Sequence, residues 1–441
     1  MKRIILFAAL AAFGSTAMRA QQPWTLERCI QHAIDNNITL KQKENLQKQN
    51  EVRLSTARNA RLPDLNAGAS ESFSFGRSLT IDNTYANSNT TSTGFNLSTS
   101  VPLLTGNRIA NNIKAARLNL QAATADLETA RQDISVQVAR LFVQIVYDKE
   151  MLDVANRQVS IDSMQCVRLK EMMAAGKASQ AQLSQHKATM SQSQLAAVQA
   201  ENTYHLDVLS LTQLLELPSP EGFTIQLPQI PYDFEATIPS PDAIYNEAVG
   251  IKPEVRAEQL RLMASDKNIL IAKAALYPSL SLSAGIGTNY YKSSGRTADP
   301  FFEQMKHNFG QNIGLSLNMP IFNRLATRNN VRTARIEREN QQLALDNVKK
   351  SLYKEIQQLH YNTIAAAAKC KSSMAAVESN QDAFNLMKAK YEAGKATMTE
   401  FNEAKNNLLK SQSDWVQARY QLVYQQALIN FYRGKEISLA I

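Results

Sequence analysis

The side chains that could do chemistry are present in this chain, but not in arrangements that perform it. Five histidines (His32, His186, His205, His307 and His360) lie far apart, none in the His-Glu-x-x-His spacing that sets two imidazoles around zinc. No Gly-x-Ser-x-Gly elbow presents a nucleophilic serine. Gly176-Lys177-Ala178-Ser179 resembles part of a phosphate loop but lacks the earlier glycine and a hydroxyl directly after the lysine. Cys29, Cys166 and Cys370 are odd in number and widely spaced, which suits neither a disulfide framework nor a zinc site. All three are expected as buried small residues. No catalytic residue, cofactor or metal site is expected. Two charge patterns remain. Glu400 and Glu403 share one helix face, and Arg324, Arg328, Arg332 and Arg335 are spaced for another. The arginine stripe reads as a solvated face, with anionic lipid head groups or a channel wall as the alternative.

The elements that must position these residues come from a chain of 441 residues with net charge +9. Its Lys and Arg are mostly interspersed with Asp and Glu, and nucleic acid is not an expected partner. Met1-Lys2-Arg3, the apolar run Ile4 to Phe13 and the small residues that follow read as a signal peptide over residues 1–20. Cleavage after Ala20 or after Ala17 both fit. No later stretch is apolar enough for a membrane-spanning helix.

Gly and Pro punctuate structure, and here they are absent from Asn107 to Ala175 and from Ile321 to Ala393. These runs are rich in Ala, Gln, Leu, Lys and Glu, largely good helix formers. A helix of that length is about 100 Å long, too long for a compact domain but suited to a coiled coil or tube wall. Ile134, Val138, Leu141, Ile145, Leu152 and Val159 form a narrow 3-4 stripe, with Asp148 and Ala155 in the intervening places.

Nine of fifteen glycines fall in 64–106 and 278–323, where the apolar period changes to two. Strands are expected at about 65–76, 93–102, 279–291 and 309–320. Leu280, Leu282, Ala284 and Ile286 alternate with Ser281, Ser283, Gly285 and Gly287; the strands at 93–102 and 309–320 do likewise, and the first, with Ala67, Ala69, Phe73 and Phe75, does so more weakly. Apolar on one face and small-polar on the other is the pattern of outer-membrane strands. Glu71 interrupts the apolar face. Aromatics near the strand ends (Phe75, Tyr85, Tyr290, Tyr291, Phe301 and Phe302) suit an interfacial girdle. The stretches 76–94 and 287–308 read as polar loops.

The chain is also written twice. Ala33–Asn37 aligns with Ala248–Lys252, and Leu62–Leu65 with Tyr277–Leu280, at a shift of 215. Ala175-Gly176-Lys177-Ala178 recurs identically as Ala393-Gly394-Lys395-Ala396 at a shift of 218. Each repeat, 21–217 and 242–434, reads helix, strand, strand, long helix (107–175; 321–393), sharp turn, helix (177–217; 395–433). A Pro-rich connector, 218–241, joins them, and 435–441 is a short tail. Four strands cannot close a barrel, and open strand edges are not tolerated in lipid, so copies must associate. Three copies give twelve strands, enough for a water-filled bore.

The doubled plan, the Pro leading from strand to long helix and the paired Ala-Gly-Lys-Ala turns resemble the TolC-like outer-membrane efflux family over nearly the whole mature chain. The resemblance implies a mainly α fold with a β membrane domain: long helical hairpins forming a periplasmic helical barrel, plus four strands per chain of a trimeric twelve-stranded transmembrane barrel. It implies a passive exit duct in the outer membrane of a Gram-negative bacterium, for small molecules or exported protein. Its partners would be two further copies, outer-membrane lipid, a periplasmic adaptor (membrane fusion protein) and an inner-membrane pump of the RND, ABC or another class. It further implies a periplasmic gate at Tyr391, Glu400 and Glu403, where threefold symmetry would gather six carboxylates into a cation-attracting ring. The family's arginine place holds Ala396, beside Lys395, and its first-repeat acidic place holds Gln182. Gly176, Lys177, Gly394 and Lys395 are the candidate tip and adaptor contacts. The alternative is a structural or adhesive coiled-coil protein of the cell envelope, against which the lipid-type strands count.

Overall fold

The structure, a computed structural model, describes residues 23–79, 83–228, 238–294 and 296–439. The expected signal peptide and residues 229–237 of the expected connector lie outside the described residues. The chain forms two compact units. One comprises Met1–Glu44, Leu127–Pro253 and Lys349–Ile441, the other Asn45–Asp126 and Glu254–Val348.

In chain order the elements are α1 (Leu26–Asn36), α2 (Ile38–Asn59), β1 (Asn66–Ser74), β2 (Arg77–Leu79), β3 (Tyr85–Asn87), β4 (Thr90–Leu104), α3 (Arg108–Ala174) and α4 (Gln180–Leu214). There follow α5 (Pro241–Ile251), α6 (Pro253–Ala274), β5 (Ser279–Ser293), α7 (Phe301–His307), β6 (Gly310–Asn318), α8 (Ala326–Glu392) and α9 (Met398–Tyr432). The long helices α3 and α8 have 67 residues each.

The Gly- and Pro-free stretch Trp24–Leu62 contains a break. Asn37 (ψ 130°) ends α1, and its side-chain oxygen accepts from the Thr39 and Leu40 amides to start α2. A short amide side chain competes with the helix backbone in this way without Gly or Pro. Its Nδ2 also donates to Leu214 O at 3.2 Å. The second repeat breaks at the aligned Lys252, for a different reason. The residue before proline is pushed out of helical geometry, and Pro253 opens α6.

The two polar stretches are also not bare loops. Residues 76–94 hold the β2–β3 pair, and 287–308 hold α7, whose Gln304 side chain bonds the backbone of Tyr291. The arginine stripe is not confined to one helix face. Arg324 precedes α8 at φ 54°, while Arg328, Arg332 and Arg335 lie exposed on α8. Of the cysteines only Cys29 is buried, and Cys166 and Cys370 are half-buried.

In the first unit the core is built from Leu26, Cys29, Ala33 and Leu40 against Val138, Phe142 and Ile145 of α3, with Leu211, Leu215, Val416 and Val423. Ile437 and Leu439 of the tail join it. Toward its C-terminal end, the buried side of α3 carries Gln158, Asp162, Gln165 and Leu169, and the expected Val159 is only half-buried.

In the second unit, four strands form one antiparallel sheet in the order β1-β4-β5-β6. Directly opposed residues in an antiparallel sheet share a face. The register sets Ala67 opposite Leu97 and Leu97 opposite Ile286; Val101 opposite Leu282 and Leu282 opposite Leu315; and Leu280 opposite Leu317. The other face aligns Ser98, Gly285 and Asn312, and likewise Ser100, Ser283 and Gly314. Here the glycines make room for amides: a Cβ on Gly68 would lie 2.6 Å from Asn96 Oδ1. Glu71 falls on the apolar face but in the row of Thr93 and Tyr290, near the end of β1, where the aromatics begin.

The sheet leads into α3 through Gly106 and Asn107, both in the left-handed region (φ 57° and 64°). A Cβ on Gly106 would meet the Ala274 carbonyl oxygen at 2.7 Å and Tyr277 Cβ at 2.9 Å. Gly106→Ala therefore costs about 1–3 kcal/mol through combined strain and clash. Thermal unfolding in detergent checks this, with an unchanged midpoint counting against it.

Candidate functional site

The two long hairpins reverse by the same construction. At the end of α3, Lys177 N–H donates to Met172 O at 2.8 Å and Gly176 N–H to Met173 O at 2.9 Å. At the end of α8, Lys395 N–H donates to Lys390 O and Gly394 N–H to Tyr391 O. This double closure needs a left-handed residue after the helix, and both glycines have φ 70°. The next helix begins with a capping box: Ser179 with Gln182 in the first repeat, Thr397 with Glu400 in the second. Gly176, Lys177, Gly394 and Lys395 are all exposed.

The three candidate gate residues have different surroundings. The Glu400 carboxylate accepts from Thr397 N–H and Thr397 Oγ1, both at 2.7 Å. These bonds hold its pKa below the usual carboxylate value. Glu400 thus caps its own helix, as Gln182 does without charge in the first repeat. Glu403 is exposed, one turn further along α9. Tyr391, half-buried, stacks on Phe401 with ring centroids 4.9 Å apart at 22°. Its hydroxyl lies 3.4 Å from His186 Nε2, and burial raises the phenol's pKa.

Beside this tyrosine is a polar cluster that the sequence reading missed. Asp162 is fully buried and Lys405 is 3% exposed. Lys405 Nζ donates to Asp162 Oδ1 at 2.7 Å, while Gln158 Nε2 (2.9 Å) and Ser193 Oγ (2.6 Å) donate to Oδ2. Burial pushes the Asp162 carboxyl up in pKa, but the bonds from Lys405, Ser193 and Gln158 and the Lys405 charge carry it below its ordinary value. His186, also fully buried, is held below the usual imidazole value chiefly by burial. At the tips, Arg168 Nη1 lies 3.1 Å from Glu392 Oε1, with both side chains well exposed. Following apolar spacing alone could not find Asp162. The available signal was the spacing 158, 162, 165, 169, which continues a helix seam in polar residues.

Among the described residues, no group of three or more His, Cys, Asp or Glu is placed to hold a metal ion. No described helix is long and apolar enough to cross a membrane, which says nothing of the sheet.

The comparisons with known proteins agree with this architecture. The chain is similar to the pyoverdine export outer membrane protein OpmQ of Pseudomonas aeruginosa: 24% identical over 446 residues, covering 96% of this chain and 89% of OpmQ. Its fold matches the outer membrane protein VceC from Vibrio cholerae at a TM-score of 0.76 and 19% identity, covering 94% of this chain and 97% of VceC. It matches the CmeC outer membrane channel of Campylobacter jejuni at the same score and identity, covering 94% of this chain and 86% of CmeC. The family described as outer membrane efflux protein matches residues 29–216 and 244–434, both repeats almost entirely. The chain belongs to the outer membrane efflux protein family and is an exit duct of the outer membrane.

Proposed function

We propose that three copies join sheet edges into a twelve-stranded barrel in the outer membrane, and that their helical hairpins form a periplasmic tunnel. The observation that carries this reading is the sheet order β1-β4-β5-β6. It leaves β1 and β6 each with one unpaired edge among the described residues, while Leu315, Leu317 and Ile313 of β6 stand exposed. Unpaired backbone cannot remain in lipid, so edge must meet edge of another copy. Light scattering of detergent-purified protein, corrected for bound detergent, should give the mass of three chains. A monodisperse single chain would overturn the reading.

The duct does no chemistry of its own. An inner-membrane pump of the RND, ABC or another class supplies the energy, and a periplasmic adaptor contacts the tips at Gly176, Lys177, Gly394 and Lys395. The likeness to a pyoverdine exporter favours small-molecule cargo over exported protein.

Tyr391, Glu400 and Glu403 form the gate region, with the two acids repeated around the threefold axis. Glu400→Gln with Glu403→Gln tests the ring cleanly, because the first repeat caps the same position with Gln182 and the helix start survives. Cation selectivity and block by divalent cations should both fall in single-channel recordings. Unaltered selectivity and block would remove the ring.

A further inference from the structure

Resting on the barrel reading, the arginines at the start of α8 belong to a larger feature of the second unit. The antiparallel order β1-β4-β5-β6 brings the four helices that flank the sheet, α2, α3, α6 and α8, to one end of it. In each, the turns next to the sheet carry bases and no acid. After Glu51, α2 and its exit carry Arg53, Arg58 and Arg61. The path from β4 through α3 holds three bases before its first acid, Asp126. Past its last acid, Asp266, α6 holds two lysines. Arg324, Arg328, Arg332 and Arg335 all precede Glu337. These four segments hold twelve bases in a chain of net charge +9, so the rest of the chain is net acidic. The carboxylate at the junction, Asp64, is already engaged: it accepts from Ser100 N–H at 2.6 Å and from Asn66 Nδ2 at 3.1 Å.

Among the described residues, no carboxylate forms a salt bridge with any of the twelve. Ion pairing begins where the acids do: Arg338 Nε lies 3.1 Å from Asp266 Oδ1, and Arg261 pairs with Asp126. Arg53, Arg58, Arg61, Arg328, Arg332 and Arg335 are all exposed. Further copies bring no partner. Rotation about the barrel axis keeps every copy at one height, so acid-free segments stand beside acid-free segments. Crowded like charges repel one another and need anions from outside the protein. The other end of the sheet is different. Its connections mix both signs, Arg77, Arg296 and Lys306 with Asp299 and Glu303.

The basic segments begin where the apolar rows stop. Met319 and Ile321 continue the period of two from Leu315 and Leu317 and are 65% and 94% exposed; Phe322 follows at 76%, and Arg324 comes next but one. Apolar rows that end in bases mark a membrane boundary. Two helical turns span about 11 Å, close to the Debye length of about 8 Å at physiological salt, so these bases lie within the field of a charged surface. Nine of the twelve are arginines, whose planar fork sets two N–H groups against two phosphate oxygens. We propose that the four helix ends form a basic collar that binds anionic phospholipid head groups, such as phosphatidylglycerol, in the periplasmic leaflet around the barrel.

The test uses the full-length oligomer reconstituted in phosphatidylcholine vesicles at low salt. Electron spin resonance of chain-labelled phosphatidylglycerol and phosphatidylcholine measures how much of each is held at the protein surface. A base near the surface is worth about fivefold in association, so the glycerol lipid should be held about fivefold more strongly than the choline lipid. On the native oligomer this preference should vanish in about 1 M salt, where the Debye length is about 3 Å. A protein carrying Arg53→Gln, Arg58→Gln, Arg61→Gln, Arg328→Gln, Arg332→Gln and Arg335→Gln should lose about half of the excess, since half of the bases are gone. Lysine at the same six places should keep most of it. Equal holding of both lipids by the native oligomer, or a preference indifferent to salt, would overturn the collar. So would a preference unmoved in the glutamine protein, and altered ion selectivity alongside would place the bases in the bore. In each of these cases choline lipid held at the surface would still uphold the barrel. If neither lipid is held, the sheet does not meet lipid, and the barrel and the collar fall together.

Discussion

Lys405→Met lowers the stability of the helical unit by about 3–5 kcal/mol at neutral pH, because it leaves the Asp162 carboxylate buried without its cation. Gln158 and Ser193 still donate to that carboxylate, but neutral donors do not replace a charge. In the native chain the Asp162 pKa lies below its unfolded value of 3.8. Its contribution is therefore present above that value and lost as pH falls through the lower, folded one. In the variant the sign reverses. Burial without a cation raises the carboxyl's pKa above the unfolded value, so the folded state binds the extra proton and the deficit shrinks on acidification. Asp162→Asn added to Lys405→Met should recover most of the loss at neutral pH. Thermal loss of helical circular dichroism across pH measures all three proteins. An equal, pH-independent loss in the single and double variants would show that packing, not the uncompensated charge, is responsible.

Leu315→Arg should sharply reduce the amount of assembled protein in the outer membrane, while Ser316→Arg, one residue along the same strand, should be tolerated. Leu315 lies opposite Leu282, which lies opposite Val101, in the middle of the apolar rows of the sheet. Ser316 lies opposite Ser281 on the other face. An arginine on the lipid face near the bilayer midplane costs about 2–4 kcal/mol, and the barrel would carry it once per copy. On the lumen face it meets water. The measure is the heat-modifiable oligomer in the outer-membrane fraction, compared with total expressed protein. Equal tolerance of both arginines would mean that neither face meets lipid.

The sequence shows the barrel strands more plainly than it shows the polar seam near the hairpin ends, and the reason is physical. A strand between lipid and water must alternate at every residue, so Leu280 to Gly287 displays its two environments directly. The long helices are legible because 67 residues without Gly or Pro leave few alternatives. The turns at Gly176 and Gly394 are legible because the same four residues recur at one shift. The break at Asn37 was hidden, since an amide side chain can end one helix and cap the next with no breaker residue to announce it. Helix α7 and the β2–β3 pair were hidden within polar stretches where composition reads as loop.

At the hairpin ends, the turn and the capping residues could be read, but the polar seam could not. An apolar-period reading assigns Asp162 and Lys405 to solvent, whereas each is buried only because the other is. Residues that stabilise each other across 243 positions of sequence leave no local periodicity. Glu400 shows the converse. Its spacing from Glu403 suggested a shared electrostatic role, and the structure adds a local one, since it completes the Thr397 cap.

The most direct test of the whole account is the conductance of the purified full-length protein in a planar lipid bilayer, measured on material whose subunit number has been determined. The account predicts discrete channel openings from an oligomer of three chains, in a preparation with both helical and β signals. A protein that stays a single chain, dissolves without detergent and passes no ions would contradict it.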